Sequence, residues 1–361
     1  MVHRLSLRQA RRVAVAAQLL EAQRPADVVE VVEQLTVVKI DPVAAIAPSE
    51  HLTLFSRIGP AYEPEQLRRA MEDDRMLFEL DGMIRPVSDL PLLLPGMRSW
   101  PPWQDVRDWL DANTGFQRDI FDLLEAEGPL PAAAIPDTST VPWRSSGWTN
   151  NRNVTKMLES LALRGQVAIT GREGRNRLWD LPERVYPQRL PELPAEVATR
   201  MRHERRLRSL GIARPRTTSQ PGEPIDVGQA GEPAIVEGVA GQWRVDPEAL
   251  DRPFSPRTAL LSPMDRMVFD RQRLLDLFGF EYVLEMYKPK AQRRWGYFAL
   301  PILRADRFIG KLDATANRSA GVLEVHAIHE DVPFTLGIEA EVHAEIAELA
   351  EWLGLDVSGL S

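Results

Sequence analysis

The feature that most constrains the fold is the order of two helical segments and a hairpin in the middle of the chain. The spacing of apolar residues predicts helices at about Gln117–Glu127 and Asn150–Arg164, and strands at Gln166–Ile169 and Arg177–Leu181. Residues 171–176, which connect the strands, are rich in Gly and Asn, as is typical of a hairpin connection. Two helices followed by a short hairpin are the order of a winged helix-turn-helix, so we expect one here.

The charge distribution singles out the same region. The chain of 361 residues has 44 basic and 52 acidic side chains, and this net charge of −8 alone argues against a nucleic-acid partner. Residues 144–216, however, carry 16 basic and 7 acidic side chains, a local excess of +9. Such an excess is the electrostatic footprint of a phosphate-binding surface, although a solvated surface laced with salt bridges has the same composition. Together with the hairpin, it favours DNA binding over a protein-contacting wing.

Side chains in three segments, all basic except that of Asn151, are therefore candidates for DNA contact. Guanidiniums on a wing suit phosphates or a minor groove, and the front of a recognition helix approaches the bases. Where arginines alternate with tryptophans, we expect the arginines to bind phosphate and the tryptophans to pack in the core. The candidates are Arg172, Arg175 and Arg177 on the wing, Asn151, Arg152 and Lys156 on the second helix, and Arg144, Arg293 and Arg294 beside tryptophans.

Outside this region, the spacing of apolar and turn residues predicts further helices and a small β-structure. A Ser…Gln capping box at Ser6 opens a helix to about Arg24. Several short strands with close turns predict a small barrel or curled sheet near the C-terminus. The other predicted helices are Ala26–Leu35, Pro64–Asp73, Asp105–Asn113, Leu260–Phe278 and the acidic Phe334–Leu353. The predicted C-terminal strands are Tyr282–Met286, Trp295–Leu303, Arg307–Leu312 and Gly321–Val325.

Several classes of chemistry are excluded by the residues that the sequence lacks. With no cysteine, the chain has no disulfide, thiolate zinc site, iron–sulfur cluster or Cys nucleophile. His326 and His329 lie beside Glu330, but residues three apart on a strand point to opposite faces, so we expect structural or surface histidines. We therefore expect no metal and no cofactor.

No apolar run approaches the ~18 residues of a membrane span, so we expect a protein of the cytoplasm or nucleoid.

The most informative local segment is Val38-Lys39-Ile40-Asp41-Pro42, and His51–Arg57 follows it ten residues later. In an extended stretch, residues two apart project to the same side. Lys39 and Asp41 would then share a face while Ile40 packs inward. His51 and Arg57 are taken as further candidates for DNA contact.

With these segments the chain resembles the AlkZ/YcaQ-like winged-helix DNA glycosylases over nearly its whole length. The resemblance implies an α+β fold of tandem winged helix-turn-helix units in a concave arrangement with a small C-terminal β-barrel. It also implies a monomer that excises alkylated or crosslinked purines from double-stranded DNA. On this basis we divide the chain into residues 1–113, 114–216 and 217–361. The resemblance is carried by Leu7–Arg12, Lys39–Asp41, His51–Arg57, Val141–Arg152, Leu260–Arg266, Asp270–Arg273, Leu277–Phe280, Arg293–Tyr297 and Lys311–Asp313.

The resemblance also assigns the catalytic positions. The signature of the family is Gln–apolar–Gln or Gln–apolar–Asp, and Lys39 and Asp41 stand at the matching positions. Asp41 fits the second form, whereas Lys39 departs from both. The family also has an aromatic–Ala–His stretch, where this chain has Phe78–Ile84 (FELDGMI). The pocket is therefore expected to differ from that of other members.

These residues leave three interpretations open. A carboxylate at Asp41 can stabilise a developing oxocarbenium ion and orient the attacking water, as in a monofunctional glycosylase. Lys39 is then a phosphate anchor, or alternatively an amine nucleophile that forms a Schiff base with the sugar. The third interpretation is a non-catalytic winged-helix DNA-binding protein or transcriptional regulator, which would dimerise to read a palindrome. We favour the glycosylase with Asp41 and an anchoring Lys39.

Overall fold

The computed structural model describes residues 2–144, 152–217 and 223–360, which form a mixed α+β structure. In these ranges no helix has the length and apolar character needed to cross a membrane. The α-helices are α1 (Leu7–Ala17), α2 (Val28–Leu35), α3 (Ser49–Ile58), α4 (Pro64–Glu72), α5 (Leu90–Ser99), α6 (Gln104–Ala112), α7 (Thr114–Glu127), α8 (Asn153–Leu163), α9 (Pro182–Val185), α10 (Ala195–Leu210), α11 (Arg266–Phe269), α12 (Arg271–Phe278) and α13 (Leu336–Leu353). The strands are β1 (His3–Leu5), β2 (Val38–Lys39), β3 (Leu77–Leu80), β4 (Met83–Pro86), β5 (Leu130–Pro131), β6 (Ala168–Glu173), β7 (Asn176–Asp180), β8 (Ile212–Ala213), β9 (Glu232–Val236), β10 (Trp243–Val245), β11 (Thr258–Leu260), β12 (Leu300–Arg304), β13 (Arg307–Asn317), β14 (Val322–Glu330) and β15 (Asp356–Ser358).

Contacts divide the chain into two compact units. The first unit joins Met1–Pro64 to Arg202–Ser361, and the second is Glu65–Met201. The first unit is discontinuous because segments from both ends of the chain share one sheet. The division predicted from motifs, with boundaries after residues 113 and 216, rests on a different criterion and stays a prediction.

The shared sheet of the first unit has the strand order β1-β9-β10-β8. β1 pairs in parallel with β9, where His3 lies opposite Ala234, and β10 is antiparallel to both of its neighbours. Trp243 on β10 is fully buried and belongs to the same apolar cluster as Val13 and Ala14 of α1. The N-terminal strand and helix are therefore held by residues far along the chain.

The predicted capping box is confirmed, but the helix that it opens is shorter than expected. The Ser6 side chain accepts from the Gln9 N–H, and the Gln9 side chain accepts from the Ser6 N–H. α1 ends at Ala17 rather than near Arg24, because Leu19 adopts a left-handed backbone with φ 57°. The chain then turns before α2 begins.

The C-terminal part of the first unit contains a five-stranded sheet in the order β11-β12-β13-β14-β15. Register shifts at Ile302/Leu303 and Asp313/Ala314 mark bulges, which bend strands and curl a sheet. The prediction of a curled sheet is thereby confirmed, as is the helix after it. The prediction of a strand at Tyr282–Met286 was wrong, since this stretch is irregular and its buried residues, Tyr282 and Glu285, are three positions apart rather than two. The predicted helix Leu260–Phe278 is instead β11 followed by the short helices α11 and α12.

The second unit contains two hairpins and the helices around them. β6 and β7 form the predicted hairpin, with β5 on the other side of β7. Gly174 has φ 59°, which allows a two-residue turn at Gly174-Arg175, so both strands extend further towards the tip than predicted. The second hairpin, β3–β4, was not predicted. Its turn residues Asp81 and Gly82 have φ 55° and 66°, as a type I′ Asp-Gly turn requires.

A buried ion pair between Arg57 and Asp265 holds α3 in the first unit. Arg57 is 0% exposed and Asp265 is 1% exposed. Both Nη atoms of Arg57 bind the carboxylate of Asp265, with 2.9 Å between Nη2 and Oδ1, and its Nε donates to the Gln18 carbonyl at 3.1 Å. A buried charge is tolerated only when a partner and hydrogen bonds satisfy it. The pair therefore fixes α3 against the segment before α11 and the end of α1.

We expect Arg57→Met to lower the free energy of unfolding by about 3–5 kcal/mol, because the Asp265 carboxylate is left buried without its counter-ion. Urea titration followed by circular dichroism measures this loss. The matched control is Arg304→Ala, which removes an ion pair with Glu341 whose side chains are 38% and 44% exposed. That control should cost less than about 1 kcal/mol. Equal losses in the two variants would contradict the structural role of Arg57.

Candidate active site and DNA-binding residues

The segment Lys39–Asp41 lies at the end of β2 in the first unit. Val38 is 1% exposed and anchors the strand, whereas Lys39, Ile40 and Asp41 are all half-buried. β2 ends at Lys39, so the strand alternation on which the expectation for Ile40 rested does not continue to Asp41. Both chemically active side chains keep an accessible surface.

The Asp41 carboxylate is fixed through one oxygen. Its Oδ1 accepts a hydrogen bond from the Val43 N–H at 2.9 Å, across Pro42, whose ring restricts the backbone. Among the residues that the structure describes, no donor is bonded to Oδ2, and the Lys39 ammonium forms neither a hydrogen bond nor an ion pair. Asp41 thus presents one oriented carboxylate oxygen, and Lys39 presents a cation not neutralised by Asp41.

The loop that carries Asp41 is attached to the curled sheet. The Ala45 carbonyl accepts from the Ala316 N–H of β13 at 2.9 Å, and the Ile46 carbonyl accepts from Arg318 Nη2 at 3.4 Å. Ile46 is itself 0% exposed. α3, which follows the loop, packs against β2. The candidate catalytic segment is therefore held at both of its ends by the core of the first unit.

His51, on α3, belongs to a cluster of aromatic side chains. Its Nδ1 is 2.6 Å from the hydroxyl of Tyr62, a residue that is 0% exposed. Burial lowers the pKa of His51 to about 4 and raises the pKa of Tyr62 above its usual range, with the Glu50 charge adding to the second effect. The Tyr62 carbonyl accepts from Trp352 Nε1 at 2.8 Å. At neutral pH the imidazole is therefore uncharged.

Arg57 does not belong to a DNA-binding surface. The prediction that it contacts DNA was wrong, because its guanidinium is enclosed in the core and bound to Asp265.

Arg293 and Arg294, by contrast, lie in an accessible loop of the same unit. The Arg293 guanidinium is 4.9 Å from the ring centroid of Tyr297, and that of Arg294 is 4.9 Å from the ring of Trp295.

In the second unit, the candidates near α8 are partly accessible. Arg144 and Arg152 are exposed, and Arg152 occupies the N-cap position of α8. The Lys156 ammonium lies 4.8 Å from the ring centroid of Trp143. The buried Asn153 accepts from the Trp143 N–H at 2.7 Å and so fixes the start of the helix. Asn151 lies outside the described residues.

The three arginines of the hairpin β6–β7, which we call the wing, differ in their surroundings. Arg172 and Arg177 bind the two carboxylate oxygens of Glu79 on β3, at 2.5 and 2.7 Å. The Glu79 side chain is 0% exposed, so both guanidiniums are anchored against a buried charge. Arg175, in the turn at the tip, is exposed. Arg175 is therefore the wing residue best placed for a phosphate.

Glu79 is a residue that sequence reasoning missed. It stands inside the Phe78–Ile84 stretch, which was treated only as a departure from the family pattern. The Asp81-Gly82 pair between apolar residues was the available signal, because Asp-Gly favours a two-residue hairpin. A hairpin there would have placed Glu79 on a strand.

The described residues contain no group of three or more His, Cys, Asp or Glu side chains that could hold a metal ion. His326 and His329 both lie on β14, and His326 Nε2 is 3.0 Å from the Thr315 hydroxyl of β13. Their surroundings fit the structural or surface histidines that the spacing predicted.

We expect Arg175→Ala to weaken duplex DNA binding and to reduce the slope of log K against log salt by about 0.9, the value for one lost phosphate contact. Fluorescence anisotropy at several salt concentrations measures both. The control is Arg118→Ala, which removes another exposed arginine, on α7. If both variants change the slope equally, the wing has no special role in binding phosphate.

Comparison with known proteins identifies the family and the fold of the chain. A family model described as DNA glycosylase AlkZ-like matches residues 32–352. Among solved structures, the chain is similar to the Streptomyces sahachiroi DNA glycosylase AlkZ, with 18% identity and a TM-score of 0.59. This similarity covers 98% of the present chain and 99% of the other, and at this identity it shows a shared fold. Since the family model spans most of the sequence, the chain belongs to the AlkZ-like DNA glycosylase family.

Proposed function

We propose that this protein hydrolyses the N-glycosidic bond of alkylated or crosslinked purines in double-stranded DNA, with Asp41 as the catalytic carboxylate. The observation that carries the proposal is the geometry of Asp41. One of its oxygens is held by the Val43 N–H, the other has no donor among the described residues, and the loop is anchored to β13. A carboxylate fixed in this way is prepared for a charge that appears only in the transition state.

The reaction explains why a carboxylate is needed. Alkylation at N7 gives the purine a positive charge, so the base is already a good leaving group. As the bond to C1′ breaks, positive charge develops on the sugar, and the oxocarbenium-like state is attracted to a nearby carboxylate. At 4 Å and an effective dielectric constant of ~20, this attraction is about 4 kcal/mol. The same carboxylate can orient the attacking water and accept its proton.

Lys39 acts in this proposal as a phosphate anchor. A cation close to C1′ would oppose the developing positive charge, so its favourable place is beside the neighbouring phosphate. The half-buried Lys39 ammonium has no carboxylate partner in the described part of the chain, which leaves it available for this role. The lysine stands where the family has a glutamine. It makes an electrostatic contact where the glutamine would make an amide hydrogen bond.

The second unit supplies much of the non-specific DNA affinity in this proposal. The order α7, β5, α8, β6, β7 and the pairing of β5 with β7 support a winged helix-turn-helix whose wing tip is Arg175. Tandem winged-helix units in a concave arrangement, acting as a monomer, complete the proposed architecture. Exposed Arg144 and Arg152 near the start of α8 are the further phosphate contacts that we propose.

We expect Asp41→Asn to lower the single-turnover rate of base excision by about 100-fold or more, since the charge and the general base are both lost. The substrate is a duplex with one N7-alkylguanine, and alkaline strand cleavage reports the abasic product. Asp41→Glu serves as the control, because it keeps the charge and should retain part of the rate. DNA affinity should change less than twofold in both variants.

Two results would contradict this assignment. Full activity of Asp41→Asn would show that another group supplies the charge. A wild-type protein that binds duplex DNA as a dimer at palindromic sites, and excises none of several alkyl adducts, would favour the non-catalytic regulator.

We expect Lys39→Gln, which restores the glutamine of the family, to retain excision, while Lys39→Ala weakens binding of the lesion duplex by about tenfold. Borohydride reduction during the reaction should trap no protein–DNA complex with either the wild type or Lys39→Gln. A trapped covalent complex that disappears in Lys39→Ala would instead make Lys39 an amine nucleophile and the enzyme a lyase.

A further inference from the structure

A second basic surface lies in the first unit, in the segment between α12 and β12. Residues 286–305 contain no Asp or Glu, whereas Lys288, Lys290, Arg293 and Arg294 stand close together within it. We call residues 287–297 the cationic loop. Residues 287–292 are all exposed, and Lys290–Gln292 form a short 3₁₀ turn. The loop therefore concentrates positive charge on an accessible part of a protein that is acidic overall.

A buried and a half-buried carboxylate hold the cationic loop in place by accepting hydrogen bonds from it. Glu285, 2% exposed, accepts from the N–H groups of Arg294 and Trp295 at 2.7 Å each and from the Lys288 ammonium at 2.7 Å. Asp313 on β13 accepts from the Tyr297 N–H. A Cβ built on Gly296, which has φ 110°, would lie 2.1 Å from the Asp313 carboxylate, so only glycine fits there. The loop is held in one shape before any ligand binds.

The aromatic residues of the cationic loop are unusually accessible. Tyr287 is 86% exposed and Tyr297 is 39% exposed. The face of Tyr297 is near Arg293, whose Nε also donates to the Lys288 carbonyl at 2.9 Å. Among the ring contacts and hydrogen bonds of the described residues, none involves the side chain of Tyr287. An exposed ring beside a fixed set of cations lacks a packing role within this unit.

We propose that the cationic loop binds an unpaired DNA strand, with Tyr287 stacking on a base that has lost its partner. The inference rests on the proposed function, in which a damaged nucleotide leaves the duplex and exposes its neighbours. Cations that follow the backbone, combined with aromatic rings on which bases stack, are the means by which proteins bind single strands without reading sequence. The lysines and arginines of the loop contact phosphates, and Tyr287 supplies the stacking face.

The shape of the loop favours this ligand over a protein or an anionic membrane. A membrane surface requires cations but no single fixed ring, and a protein interface requires a larger apolar centre around the exposed tyrosine. Here the exposed Tyr287 stands in a loop with four cations, and the buried Glu285 binds the Lys288 ammonium and the Arg294 backbone N–H. That arrangement matches the alternation of base and phosphate along one strand.

The test is fluorescence anisotropy with three labelled ligands: a single-stranded 12-mer, a fully paired duplex, and the same duplex with one unpaired nucleotide. Tyr287→Ala should weaken binding of the first and third ligands by about tenfold, with less than twofold change for the paired duplex. Tyr287→Phe should bind like the wild type, because stacking needs the ring and not the hydroxyl. Leu336→Ala is the matched control, since Leu336 is also 86% exposed but starts α13.

Other outcomes overturn the inference. It fails if Tyr287→Ala binds all three ligands like the wild type, or loses affinity equally for the paired duplex. It fails also if the effect of Tyr287→Ala appears only with vesicles containing phosphatidylserine. Excision assays on the same proteins separate the two proposals. Loss of unpaired-strand binding in Tyr287→Ala, with no excision by the wild type on any alkyl adduct, would refute the glycosylase and leave the loop assignment standing.

Discussion

The buried ion pair between Arg57 and Asp265 is the contact on which the candidate active site depends. The two residues are 208 positions apart, and their pairing joins α3 to the C-terminal part of the first unit. α3 packs against β2, and the loop before α3 is bonded to β13. Asp41 lies between β2 and that loop, so these contacts determine its position. Removal of either charge leaves the other one buried without a partner, which is why such pairs are costly to break. The geometry of the candidate catalytic segment and the stability of the first unit are thus coupled.

The same use of buried carboxylates recurs where the protein presents cations. Glu79 holds Arg172 and Arg177 at the base of the wing, and Glu285 holds the cationic loop. In each case a carboxylate of low exposure holds some of the basic groups in place. Other basic groups, such as Arg175 at the tip of the wing, stay accessible. Some of the acidic residues therefore have a structural role, in addition to the solubility that a net charge provides. In the proposed function, DNA affinity depends on a few oriented cations, and the total charge of −8 conceals them.

Much of the local structure could be predicted from the sequence, because local signals determine it. The capping box at Ser6, the wing with Gly174 at its turn and the helix after β14 are decided by neighbouring residues. Arg57 could not be placed, since its burial depends on Asp265, which is remote in sequence. Tyr282–Met286 was predicted as a strand, but its two buried residues serve other contacts, since Tyr282 donates to the Ala299 carbonyl and Glu285 braces a loop. The Lys39–Asp41 segment was identified through the family resemblance, while the bond that orients Asp41 required the structure.

The most direct test of the central claim, that this protein removes alkylated purines by hydrolysis, is mass spectrometry of the products. A duplex with one N7-alkylguanine is incubated with the wild-type protein, and both the small-molecule fraction and the strands are weighed. The account predicts free alkylated base together with a full-length strand that carries an abasic site, and no mass for a protein–DNA adduct. Recovery of the intact alkylated strand, bound by the protein but unchanged in mass, would contradict it.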